Sequence, residues 1–171
     1  NGVTSIGNQA DQWYDDYEGW IQTNIDTLTV QLQSAQQSYN NTLANTDANI
    51  ISIQSDITDL NSDRTDLVTE RDSWDAQGNQ GLVDYYNDRI TAIDGEITQV
   101  QGDLSGAQQD RTDLVNMNGS NSNIGDVVIN ISSAQSGLQN WQDRQNNLDR
   151  PQDWSDPVAA DQAYADAQVM A

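Results

Sequence analysis

The stretch NNTLANTDANIISIQSDITDLNSDRTDLV, residues 40–68, decides the fold. Its second part places Ile50, Ile53, Ile57, Leu60, Arg64 and Leu67 at steps of three and four. That spacing lines one face of an α-helix. Its first part, residues 40–49, is crowded with poor helix formers yet contains neither glycine nor proline. Two readings stay open. Residues 40–49 are either a tight loop, with Asp47 capping the next helix, or a weak patch inside one helix about 100 Å long.

The same rhythm extends outward on both sides. Toward the N-terminus it runs through Tyr14, Tyr17, Ile21, Ile25, Leu28, Leu32, Ala35, Tyr39 and Leu43. Toward the C-terminus it reaches Arg71 and Trp74 and stops at DAQGNQG, residues 75–81, where two glycines break it. A further seam follows at Tyr86, Ile90, Ile93, Ile97, Val100, Leu104, Ala107, Arg111 and Leu114. After NMNGSNSN at 116–123 comes another, through Val127, Ile131, Ala134, Leu138, Trp141 and Leu148. The expected helices therefore span about 10–43, 47–76, 82–116 and 124–148. Residues 1–9 lack periodicity and read as an extended arm, while Pro151 ends the last long helix. Residues 150–171 are expected to form a tail with a short Ala-rich helix.

The fold class is all-α: a long antiparallel up-down bundle or coiled coil of three or four helices. With loops near 45, 78 and 120, Leu32 faces Ile57, Ile57 faces Val100, and Val100 faces Leu138. If 40–49 is helical instead, residues 50–148 pack together and residues 10–45 project, burying their seam on another chain.

The motif DRTDLV occurs twice, at 63–68 and 110–115, and sets an arginine on the apolar seam each time. It belongs to a longer echo: a shift of 47 residues aligns Ile50 with Ile97, Ile57 with Leu104, Arg64 with Arg111 and Leu67 with Leu114. An old duplication, or two helices meeting similar demands, would leave this trace. Arg71 follows Arg64 by one heptad. An arginine stem can lie along an apolar stripe while its head reaches a carboxylate on the facing helix. Arg64, Arg71 and Arg111 are thus the expected register-setting ion-pair residues.

Composition narrows function. The six basic residues are all Arg, against 27 acidic residues, for a net charge of −21. Such a surface repels nucleic acid and anionic membrane faces, and no apolar run is long enough to span a bilayer. Salt or divalent cations would relieve the self-repulsion, so diffuse divalent binding is expected rather than a built metal site. NMNGSNSNIGD carries alternating oxygen donors but lacks the aspartates and closing glutamate of an EF-hand loop. The chain has no Cys and no His. Thiol nucleophiles, Ser-His-Asp triads and His-containing metal centres are therefore excluded, and no catalytic or cofactor-binding residue is expected. The start at Asn1 reads as the product of processing.

Aromatics are dense in DQWYDDYEGW, residues 11–20. Tyr14 and Tyr17 suit a tapering core, and Trp13 and Trp20 suit an anchor on a neighbouring subunit. Trp13, Tyr14, Tyr17 and Trp20, with Trp154 and Tyr164 of the tail, are the expected subunit-interface residues. The expectation is a non-enzymatic structural subunit of an extracellular or virion-type filament, sheath, spike or fibre. Its partners would be copies of itself or other structural proteins. A protein- or glycan-binding helical module is the alternative. A second alternative is a calcium-responsive secretory matrix protein. The low isoelectric point and heptads are similar, in composition and pattern, to the matrix proteins of secretory organelles such as trichocysts.

Overall fold

The computed structural model describes residues 2–148, and their side chains from residue 7 onward. The described chain is all-α, with three helices: α1, Gly2–Ala76; α2, Gln80–Val115; and α3, Gly125–Asn146. The chain divides into two compact units, residues 1–36 with 129–171, and residues 37–128.

Residues 40–49 are continuous helix within α1, which removes the loop reading. The reason is local and tertiary at once. Thr42 and Thr46 turn their hydroxyls back onto the carbonyls of Ser38 and Thr42, at 2.9 Å each, instead of capping a new helix. Tyr39 and Leu43 pack on Leu114, Ile124 and Val128. Burial of this kind outweighs propensity deficits of a few tenths of a kcal/mol per residue. Leu32 therefore cannot face Ile57, since both lie on one helix. The extended arm at 1–9 is corrected too: residues 2–9 are the first turns of α1. They contain no proline, and extending a formed helix avoids the cost of nucleation. The expected short helix after residue 150 lies outside the described residues.

In the unit of residues 37–128, α1 and α2 run antiparallel. Helix α1 closes on a Schellman turn: Asn79 N–H donates to the Trp74 carbonyl at 3.0 Å and Gly78 N–H to Asp75 at 2.9 Å. Gly78 takes the left-handed conformation that this turn demands, with φ of 73°. The Asn79 side chain then accepts from the backbone N–H of Leu82 at the start of α2. The inner face of α2 is buried at Val83, Ile90, Ile93, Ile97, Ala107 and Leu114. The facing α1 seam, including Ile53, Ile57, Leu60 and Leu67, stays half-buried.

In the other unit, α3 lies antiparallel on the N-terminal part of α1. Tyr17, Ile21 and Ile25 form the core there, with Trp13, Leu138, Trp141 and Leu148 packed around it. The expected pairing of Leu138 with Val100 is thus replaced, and the seam of α1 near residues 13–28 is covered by the chain's own α3. Gly137 permits the approach: a Cβ there would sit 3.3 Å from a methyl of Leu28.

Candidate functional site

The first constellation is a pair of ion-pair rungs across α1 and α2. Arg64 Nε donates to Asp94 Oδ1 at 2.5 Å, and its Nη2 reaches Oδ2 at 3.4 Å. Arg111 Nε donates to Asp47 Oδ1 at 2.5 Å. These side chains keep between 42% and 47% of their surface exposed, so both rungs sit at the flank of the seam rather than inside it. The hydrogen bond to Asp94, then its charge, holds the Arg64 guanidinium above its ordinary pKa.

The two rungs share one register. Seventeen residues separate Asp47 from Arg64 on α1, and seventeen separate Asp94 from Arg111 on α2. The 47-residue echo that carries Arg64 onto Arg111 also carries Asp47 onto Asp94. Each repeat supplies one arginine and one aspartate, and antiparallel packing pairs them reciprocally, as two-fold related surfaces do. The aspartates were the half of this arrangement that reading the arginines alone missed. Comparing the two repeats position by position would have found them.

Arg71 departs from this scheme. Its guanidinium bonds Asp72, its own neighbour on α1, through Nε at 2.9 Å and Nη2 at 2.6 Å. Carried along α1, the register of the two rungs sets Asn87 opposite Arg71. An amide there offers no charge, so Arg71 sets no register.

The second constellation is the loop between α2 and α3. Asp113, only 8% exposed, accepts from Gln109 Nε2 at 3.0 Å, Asn118 Nδ2 at 3.0 Å and Asn121 Nδ2 at 2.9 Å. These three amides, Asn121 foremost, hold its carboxyl below the usual carboxylate range, against the opposing effect of burial. Asn121 and Asn123 also donate to Asp110. The side chains that resembled a loose calcium loop thus spend their amides tying the loop to α2. Helix α2 ends in a second Schellman turn, with Asn118 N–H on the Asp113 carbonyl at 2.8 Å and Met117 N–H on Leu114 at 3.1 Å. Met117 occupies its left-handed position, with φ of 55°.

The third constellation is aromatic. Trp13 stacks on Tyr17 with ring centres 4.9 Å apart, and Tyr17 leans on Trp20 at 5.7 Å. Trp20 meets Trp141 of α3 edge-on at 4.7 Å, and the Arg144 guanidinium lies 4.9 Å over the Trp141 ring. Tyr14 and Tyr17 are buried in the chain's own core, while Trp20 keeps 48% of its surface exposed. Of the residues expected to meet a neighbour, Trp20 therefore presents the largest free face among those described. Trp154 and Tyr164 lie outside the described residues.

Among the described residues, no three carboxylates converge as a metal site would require, and no helix is long and apolar enough to cross a membrane. Compared with the models of known protein families, the chain matches none. Comparison with curated proteins and with solved structures likewise gives no match.

Proposed function

We propose that the protein is a non-enzymatic structural subunit of an extracellular or virion-type assembly, in which α1 and α2 form a long antiparallel coiled coil that acts as a strut. The observation that carries this reading is the shared register of the Arg64–Asp94 and Arg111–Asp47 rungs. Two reciprocal pins along a helical hairpin resist sliding, which is what a spacer needs and what a catalyst does not. The carboxylates that line the grooves, among them Asp63, Asp66 and Glu70, are exposed, which supports the same reading, since chemistry on a carboxylate calls for a dry concave site. Self-association through the exposed face of Trp20 would build the assembly, with the charge of −21 keeping it dependent on salt or divalent cations.

Sedimentation velocity and negative-stain imaging, with and without millimolar calcium, test the proposal. Filaments or large regular particles are expected, and Trp20→Ala is expected to reduce them. A chain that stays monomeric over a hundred-fold range of concentration in both conditions refutes it.

A further inference from the structure

One flank of the α1–α2 hairpin carries two parallel rows with identical spacing. On α1 the row is Leu60, Asp63, Leu67 and Glu70; on α2 it is Tyr86, Arg89, Ile93 and Glu96. Both rows advance by three, four and three residues, so apolar and charged positions alternate along a continuous groove. The apolar members make the floor: Leu60, Leu67 and Tyr86 are only half-buried, and Ile93 keeps 9% of its surface. The groove is about 15 Å long, the rise of three helical turns.

The rims are acidic and unanswered. Asp63, Asp66, Glu70 and Glu96 are exposed, and none has an ion pair or side-chain hydrogen bond among the described residues. The single cation in the groove, Arg89, is turned onto its own helix. It donates to Tyr85 Oη at 2.9 Å and lies 5.8 Å over that ring. An apolar floor of helical spacing between uncompensated carboxylates has a defined complement: a helix with aliphatic residues on one face and cations on its sides. A second copy of this chain is the wrong occupant, because it has no lysine and each of its arginines follows an acidic residue.

We propose that this groove receives a lysine- or arginine-rich amphipathic helix of a partner protein. Leu60, Leu67, Tyr86 and Ile93 receive the partner's aliphatic side chains, and Asp63, Asp66, Glu70 and Glu96 hold its cations. The inference is independent of the strut reading, since a monomeric chain would present the same groove.

The test uses the full chain and two fluorescein-labelled probes of about 18 residues, each with leucine at its heptad seam. One has lysine elsewhere and the other glutamate. Anisotropy titration at about 0.1 M salt is expected to show saturable one-to-one binding of the lysine peptide, at least about ten-fold tighter than the glutamate peptide. D66K/E70K is expected to weaken binding by about ten-fold or more. D56K/D103K changes net charge equally at exposed positions outside the groove, and is expected to shift affinity by less than about three-fold. Circular dichroism confirms that both variants remain helical. Equal weakening by the two double variants overturns the proposal, as does equal binding of the two peptides. A dimer in the absence of peptide whose cross-links run through Leu67 and Tyr86 also overturns it, because the groove then belongs to a second copy.

Discussion

Gly125 and Gly102 look alike in the sequence, and the structure predicts opposite signs for their replacement by alanine. Gly102 lies in the interior of α2, and a Cβ there would meet nothing within 4 Å. Gly102→Ala therefore gains helix propensity alone, about 0.5–1 kcal/mol. Gly125 opens α3, and a Cβ there would stand 2.7 Å from the carbonyl oxygen of Gly119. The neighbour is backbone, so no rotamer change relieves the clash. The loop cannot retreat freely either, because Asn118 and Asn121 on either side of Gly119 are tied to Asp113, at 3.0 and 2.9 Å. Overpacking of this kind costs about 1–3 kcal/mol, and the propensity gain at a first helical residue offsets less than about 1 kcal/mol of it. The net expectation for Gly125→Ala is a loss of about 1–2 kcal/mol, a sizeable part of the stability of an ordinary domain. Urea unfolding followed by far-ultraviolet circular dichroism measures both variants against the parent. A Gly125→Ala protein as stable as the parent, or stabilised like Gly102→Ala, would refute the close-approach argument.

Three further outcomes follow from the same geometry. Met117→Gly should stabilise by up to about 1 kcal/mol, because it removes a side chain from a left-handed position that costs about 1–2 kcal/mol; the urea midpoint reports it. Asp113 has its carboxyl pKa depressed in the folded state, so its contribution is present above the ordinary carboxylate range and is lost as pH falls through its folded value. The stability gap between the parent and Asp113→Asn should accordingly be open at neutral pH and close on strong acidification, as read by thermal melts across a pH series. Asn87→Asp should give Arg71 a carboxylate across the hairpin. A double-mutant cycle with Arg71→Ala should then show a coupling of about 0.2–1 kcal/mol, and zero coupling would break the extension of the register to residue 71.

The helical rhythm was legible because steps of three and four recur from Tyr14 to Trp141, and periodicity survives even in a chain this polar. The joint between 40 and 49 was not, because propensity and packing point opposite ways there. The decisive contacts, Tyr39 and Leu43 on Leu114, Ile124 and Val128, lie some seventy residues away or more. Tyr39 even donates its hydroxyl to the Leu114 carbonyl, at 3.3 Å. Helix pairing was equally hidden. A seam tells which face of a helix turns inward but not which neighbour receives it, so Leu138 could be matched with Val100 on paper while its partners are Tyr17, Ile21 and Ile25. Arg71 shared its spacing with Arg64, yet its guanidinium bonds Asp72 of its own helix, and spacing along one helix does not tell which carboxylate an arginine will reach. Asp113 gave no signal of its own, since one aspartate among 24 is distinguished only by the amides that fold back onto it.

The two exposed rungs add little stability singly. Their worth lies in discrimination. A seam of Ile, Leu and Val repeating by heptads is nearly indifferent to sliding one helix past the other by seven residues, because greasy positions meet greasy positions again. The charges are not indifferent. A slide of seven in one direction would set Gln101 opposite Arg64 and Asn118 opposite Asp47; in the other it would set Asn87 and Leu104 there. Both native pairs fail in each: the first slide would keep one opposite charge, Arg71 opposite Asp94, in place of two pairs, and the second would keep none. Reciprocity doubles the penalty without enlarging the alphabet, since a repeat carrying one Asp and one Arg becomes its own complement when its copies run antiparallel. In a chain with six cations, placing two of them this way specifies the hairpin more sharply than more leucines could, because additional leucines would deepen the correct register and its slipped rivals alike.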